Sequence, residues 1–447
     1  MSEGVQPSPP GRPEPLSGGP RLYTIPPSAP FLTTLAKAIL GGDFPLAGGA
    51  KPDPLALPLT TIYLPTRRAA RALREAFLAE AETEALLLPR IRALGDPDEK
   101  AAIIFSGGDS TKDDSAIGAP AIGVLPRRLA LMKLVLALGR RLRAEAAQED
   151  FTLGAPLLEV TPGQASYLAA DLAQLMDDVE REEVDLSKLA EIVPEDFAAH
   201  WQVTVDFLKI VTEHWSHHLE ENGLVSPMTR RNLLMAQETK RLAQGSPYPV
   251  IAAGSTGTVP ATARLLRTIA SLPNGAVVLP GLDLSLDDES WALLGDHPEH
   301  PQAGMAELLR KLGVERKDVA FVPGSEPNAS ARARLHLMSE ALRPAESTER
   351  WRRFLDADGL ARASFANALA GIRLVVAPTA HDEAEAIALI LKSVIETPGK
   401  TAALVTPDRM LARRVAAQSL SRLRQAPDRG KRRVPCAQQA RQPSRRW

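Results

Sequence analysis

The chain has 447 residues, of which 44% are apolar, 24% charged and only 4% aromatic, with a formal net charge of −1. That length has room for about two or three domains with a sizeable core, and the near-neutral balance gives no global signal for a nucleic-acid partner. A single cysteine, Cys436, excludes a disulfide framework and any four-cysteine metal or iron–sulfur site within this chain.

The opening "MSEGVQPSPPGRPEPLSGG" is proline-rich and polar, without an apolar core segment, and reads as a disordered lead and not a signal peptide. The longest apolar run, "LALMKLVLALG", is short and carries Lys133, so it cannot span a bilayer. A soluble, reducing compartment, the cytoplasm, is the expected location. "RLYTI" reads as the first strand, "PPSAP" as a turn, and "FLTTLAKAIL" as a helix with Pro30 near its start. "TTIYL" (Thr60–Leu64) is the next expected strand and "PTRRAARALREAFLAEAE" the next helix, followed by an exposed insertion at Ser106–Pro120.

From Leu125 to about Leu242 the periodicity is helical throughout. Strand and helix alternate again from Pro249: "PVIAAG", a helix over Ala261–Ser271, "GAVVLPG", and a helix from Ser290. A further helical region runs to about Ala370. "IRLVVAP", a helix over Glu383–Ile395, "TAALVTP" and the helix "RMLARRVAAQ" then open a second β/α block. The last stretch, Arg422–Trp447, holds nine Lys/Arg and one Asp, a net of +8 that leaves −9 on residues 1–421. It shows no periodicity and reads as foreign to the fold.

The expected class is therefore α/β, with doubly wound parallel sheets. A first α/β domain covers 21–124 and 246–345, split by a helical insertion at 125–245. Linker helices and the start of a second α/β domain cover 346–421, between the lead at 1–20 and the tail at 422–447.

Two strand–turn–helix joins are candidate phosphate sites. "GSTGTVPATARLL" (Gly254–Leu266) has its glycines too close for a P-loop, lacks the lysine, and places Pro260 where an amide donor is needed. The alternatives there are an atypical phosphate loop at Gly254–Thr258, or a plain turn with Ser255, Thr256 or Thr258 capping the helix. In "YTIPPSAPFLTTL", Pro26, Pro27 and Pro30 supply no N–H, and neither glycine nor lysine is present. That turn cannot perform P-loop chemistry.

"LPTRRAARALREAF" is the strongest candidate for contact with an anion. Thr66 is placed to cap the helix, and Arg67, Arg71 and Arg74 recur at i, i+4 and i+7 with Arg68 beside them, opposite the apolar pair Leu73 and Phe77. The face suits a nucleic-acid backbone, or equally a solvated surface pairing with Glu75. Arg127 and Arg128 repeat the theme at a helix start, where a solvated cap is the simpler reading. "HWSHH" spaces His214 and His218 one turn apart, as zinc ligands or as ordinary helix residues near Trp215. "DLSLDDESW" gathers Asp283, Asp287, Asp288 and Glu289, read as a capping box from Ser285 to Asp288 or as a divalent-metal site. Glu383 and Glu385 suit the start of their helix. No catalytic pair stands out.

In order along the chain, "IPPSAPFL", "YLPTRRAARALREAF", "LLPRIRALGD", "HPQAGMAELLRKLG", "LRPAESTERW" and "HDEAEAIALILKSV…PGKTAALVTPDRMLARRVAA" resemble the AddB subunit of the AddAB helicase–nuclease in its alphaproteobacterial form. The resemblance implies an inactivated RecA-like, superfamily 1 helicase fold that serves a heterodimer with an AddA-type subunit. That partner binds and hydrolyses ATP, and the pair processes double-strand DNA breaks for recombinational repair. It also implies that Thr66, Arg67, Arg68, Arg71 and Arg74 approach DNA. The family's nuclease domain, with its metal ligands and four-cysteine iron–sulfur cluster, lies beyond the matching phrases. No catalytic residue, metal ligand or cofactor is therefore expected in this chain.

Overall fold

A computed structural model describes residues 21–42, 44, 53–81, 85–94, 119–148, 160–184, 214–352 and 366–424. The expected lead, most of the 106–120 insertion, the helix segment before residue 214 and the tail beyond 424 lie outside them. The chain divides into two compact units, Met1–Ala368 and Leu369–Trp447.

The first unit is built on six parallel strands: β1 (Leu22–Ile25), β2 (Thr61–Leu64), β3 (Arg90–Ala93), β4 (Val250–Ala253), β5 (Gly275–Pro280) and β6 (Ala320–Phe321). Their order across the sheet is β3-β2-β4-β5-β1-β6, with Ala252 beside Val277 and Tyr23 beside Val278. Alternation of side chains assigns each residue to a face. Tyr63, Val250, Ala252, Val277 and Leu279 belong to one core, whereas Ile62, Leu64, Ile251, Ala253, Ala276 and Val278 belong to another.

Helices α1 (Phe31–Gly41) and α2 (Arg67–Glu80) cover the second of these faces through Leu35, Ile39, Leu73 and Phe77. Helix α3 (Val124–Gln148) and helix α4 (Pro162–Glu182) come next in the chain, followed by helical residues 214–221 and α5 (Pro227–Ala243). The first face is covered by α5, α6 (Pro260–Ser271) and, after the short α7 (Asp288–Leu293), by α8 (Ala303–Leu312). The result is a mixed α/β, doubly wound sheet. Its central strands β4 and β5 are almost wholly buried, which is why they read as unbroken apolar runs.

Between β3 and β4, α3, α4 and residues 214–221 enclose a separate core of Leu131, Val135, Ala165, Leu172, Met176 and Trp215. The arginine expected to be a solvated cap is part of this packing. Arg127 is buried, its Nη1 donates to Asp177 at 2.7 Å and its Nη2 to the Ala173 carbonyl at 3.2 Å, pinning α3 to α4. Arg128 donates to the Ser166 carbonyl. Asp177 lies fifty positions away, so no local pattern shows this pair.

Two strands were not expected. β3 has one buried apolar residue, Ile91, between arginines, and the two-residue β6 is too short to carry a period. Conversely, "IRLVVAP" and "TAALVTP" are not strands. Residues 372–377 and 401–406 form no ladder, with Leu374 90% and Val405 92% exposed. A parallel strand is stable only between paired and covered neighbours, and among the described residues of the second unit the buried cluster lies between α10 (Ala380–Ile395) and α11 (Arg409–Arg424), through Ala384, Leu411 and Val415, with Leu404 partly buried against it. The helix α11 also runs three residues into the stretch read as an aperiodic tail. Thr379 caps α10, whose first turn carries Asp382 and Glu383.

The acidic run after β5 is neither a box from Ser285 nor an array of open carboxylates. Asp287 is the N-cap of α7, accepting from the Ser290 amide at 3.0 Å, while Asp283 accepts from the amides of Ser285 and Leu286. Asp287 also binds Arg343, whose side chain is only 4% exposed and is shared with Glu340 at 2.5 Å, just past α9 (Ala329–Ala341). Arg350 reaches Asp287 and Glu289, and Arg316 reaches Asp288. Burial pushes the Asp287 carboxyl up, but the Ser290 amide and hydroxyl and the Arg343 guanidinium outweigh it and hold it well below the usual range.

Replacing Arg343 with Met strips the buried Glu340 of its cation and leaves Asp287 with Arg350 alone, so the expected loss in chemical denaturation is on the order of 3 kcal/mol. Because the folded Asp287 carboxyl is the stronger acid, its contribution is complete above about pH 4, the ordinary unfolded value, and declines as pH falls through the lower folded value. Wild-type and Asp287→Asn stability curves should therefore converge on acidification.

Candidate nucleic-acid interface

The connection leaving β1 runs to β2, on the β5 side, whereas β6 lies on the opposite side of β1. An open α/β sheet presents its crevice where the strand order diverges in this way, at the carboxyl ends of the strands. Residues after β1, β2, β4 and β5 form that rim.

The rim after β1 is filled by carbon. Pro26 and Ala29 close a turn (Ala29 N to Pro26 O, 3.0 Å), and Pro30 is the N-cap of α1 without a side-chain cap. A Cβ added to Gly254, at φ +77°, would meet the Phe31 ring at 3.4 Å and Pro65 Cδ at 3.6 Å, and one on Gly281, at φ +64°, would meet Pro27 Cγ at 3.0 Å. Pro27, Phe31 and Pro65 thus crowd the backbone from above. The Gly254 amide donates to Val278 O at 2.9 Å, and that of Gly257 lies 3.4 Å from Ser255 Oγ.

The "GSTGTVP" loop turns inward. Gly257 backs onto Leu308, and the Thr258 methyl lies 2.5 Å from where a Cβ on Gly304 would stand, so the loop is packed on α8. None of Ser255, Thr256 and Thr258 caps α6. Its N-cap is Val259, with no side-chain bond. Proline at the first position of α6 already supplies its start, which removes the need for an oxygen there.

Beside this rim, α2 begins as expected. Thr66 has extended backbone and its Oγ accepts from the Ala69 amide at 3.1 Å. Leu73 and Phe77 are fully buried against the sheet, so Arg67, Arg68, Arg71 and Arg74 are turned outward and all four are exposed. They do not form one uniform group. Arg74 Nη2 donates to the Ile91 carbonyl of β3 at 3.2 Å, which fixes the edge strand and leaves Arg67, Arg68 and Arg71 nearest the helix start.

One polar centre next to the site escaped the sequence reading. Glu238 of α5 accepts from the Tyr63 hydroxyl of β2, from Arg92 of β3 at 3.4 Å and from Arg241 twice at 2.8 Å. Burial and the neighbouring Glu238 charge push the Tyr63 phenol well up. Burial raises the Glu238 carboxyl too, but the bonds from Arg241 and Tyr63 outweigh it and hold it down. Tyr63 and Arg92 lie 175 and 146 positions from Glu238, and only the Glu238–Arg241 spacing is local.

The histidine group is dispersed. His217 pairs with Glu221 at 3.0 Å, and the His218 ring lies 5.6 Å from that of buried Trp215. Among the described residues no group of three or more His, Cys, Asp or Glu is arranged to hold a metal, and no helix is long and apolar enough to cross a membrane.

No protein-family model matches the chain. No curated protein matches it either.

Thr66→Ala removes the side-chain cap of α2 and should lower stability by about 1 kcal/mol. Gly254→Ala, forced into left-handed backbone against Phe31, should cost a further 1–2 kcal/mol or so. Urea melts of the two variants measure both losses.

Proposed function

We propose that the chain is a non-motor, DNA-contacting subunit of an ATP-dependent helicase–nuclease, an AddB-type protein with an inactivated RecA-like domain. It works in the cytoplasm beside an AddA-type partner that hydrolyses ATP, on DNA with broken double-strand ends. The ordered set of phrases described above supports the family. The observation that carries the division of labour is the contrast at one rim of the sheet. In the turn after β1, where a RecA-like motor would hold a triphosphate, Pro26, Pro27 and Pro30 supply no N–H and neither glycine nor lysine is present; Pro27 lies against Gly281 and Phe31 against Gly254. Across β5 and β4 from β1, at the end of β2, α2 presents Arg67, Arg68 and Arg71 at a capped helix start.

Phosphate oxygens are recognised by just such groups: free amides at a helix N-terminus and arginines on one face. Three arginines neutralise about three phosphates, so the contact is electrostatic and independent of base sequence. The family's iron–sulfur cluster takes four cysteines, and this chain's only cysteine is Cys436.

Labelled ATP should show no micromolar binding to the purified chain in equilibrium dialysis. A micromolar affinity would favour the atypical loop at Gly254–Thr258 and overturn the reading. Replacing Arg67, Arg68 and Arg71 together with Ala should weaken single-strand DNA binding and make its log–log salt slope shallower by roughly 2. An unchanged slope would instead make the chain a structural subunit that leaves DNA contact to its partner.

A further inference from the structure

His297 and His300 sit in the turn between α7 and α8, and the proposed DNA contact uses neither. Their hydrogen bonds require opposite forms of the ring. His297 has Nδ1 3.2 Å from Glu299 Oε1 and Nε2 2.9 Å from Glu346 Oε2. Ionised carboxylates only accept, so both nitrogens must donate, and only the imidazolium has two N–H groups. His300 has the complementary pattern. Its Nε2 faces the Leu342 carbonyl at 2.9 Å and must donate, while its Nδ1 accepts from the Gln302 amide at 3.1 Å. A neutral ring satisfies both.

The same turn reaches the carboxyl rim of the sheet. Gln302 Nε2 donates to the Gly281 carbonyl and its Oε1 accepts from the Asp283 amide, each at 3.0 Å. Between them, the Leu282 amide donates to Thr24 Oγ1 at 3.0 Å, and that hydroxyl donates to the Leu279 carbonyl. The turn after β5 is therefore held from behind by Gln302. Pro298, next to His297, also forms part of the wall of an open cleft of about 880 Å³ beside Trp291 and Arg316.

We propose that His297 is a proton-operated latch: as the imidazolium it clips the 297–302 turn to the Pro344–Thr348 turn, and through Gln302 it steadies the rim after β5. The titratable groups facing it are Glu299 on its own turn, Glu346 on the opposing turn and His300 beside them. The nearby Arg343 is committed to Asp287 and Glu340. The bonds its N–H groups donate to Glu299 and Glu346 hold the imidazole above its ordinary value. The sign follows: the latch is fully closed below about pH 6.5, the unfolded value, and opens as pH rises through the higher folded value.

The test is histidine ring NMR on the full chain together with amide-exchange protection, normalised for intrinsic exchange. His297, assigned by the resonance that His297→Gln removes, should titrate above about 6.5. Protection at Leu282, Asp283 and Gln302 should fall several-fold across the same midpoint. Glu346→Gln should lower the midpoint and carry the protection step with it, while His297→Gln should abolish the step. A midpoint at or below the free value, or protection that stays level while His297 titrates, overturns the proposal.

Discussion

Burying a parallel sheet on both faces is the demand that organises this protein. Every residue of β4 and most of β5 must be apolar, because alternate side chains enter two different cores. Helices must then be supplied to each side, which α1 and α2 do on one face and α5, α6 and α8 on the other. The long excursion between β3 and β4 satisfies the same demand, since α5 returns from it to cover the sheet beside Met235 and Leu242. The second unit displays the converse. Its apolar runs at 372–376 and 401–405 lack neighbours to pair with and stay outside any ladder.

This architecture also decides what the carboxyl rim can be. In a doubly wound sheet that rim is where backbone amides become free to bind a ligand. Here proline removes donors after β1, Phe31 lies over Gly254, and the loop after β4 folds down onto α8. The polar capacity of the rim moves sideways to α2. Its start is a capped helix end, and its outward face is basic because its inward face is committed to Leu73 and Phe77. Burial and charge are two sides of one amphipathic helix.

Much of this was legible from order and period. β1, β2, β4 and β5 and the helices that follow them were expected within a residue or two, because fully buried strands and amphipathic helices leave strong local patterns. Thr66 was legible as a cap because the motif is contained in four residues. β3 and β6 were not, since an edge strand with one buried residue and a two-residue strand have no pattern to detect. The strands expected after Gly371 failed for a related reason: local composition records propensity, but pairing is supplied by neighbours. Ser285 and Asp287 are both good capping residues, and the choice between them was made by Arg343, more than fifty positions away. The Arg127–Asp177 and Tyr63–Glu238 pairs are likewise tertiary facts. Arg74 was counted with the outward arginines, but its alternative use, the carbonyl of Ile91, belongs to a strand that the sequence did not reveal.

The Glu238 centre has a mechanical corollary. One carboxylate joins α5 to both β2 and β3, and its ligands include the phenol of Tyr63, three residues before Thr66. The excursion that ends in α5 is thus hinged on the sheet close to the base of α2. That polar joint adds to the apolar packing of Met235 and Leu242, so α5 is fixed to the sheet both by its buried face and by one shared carboxylate.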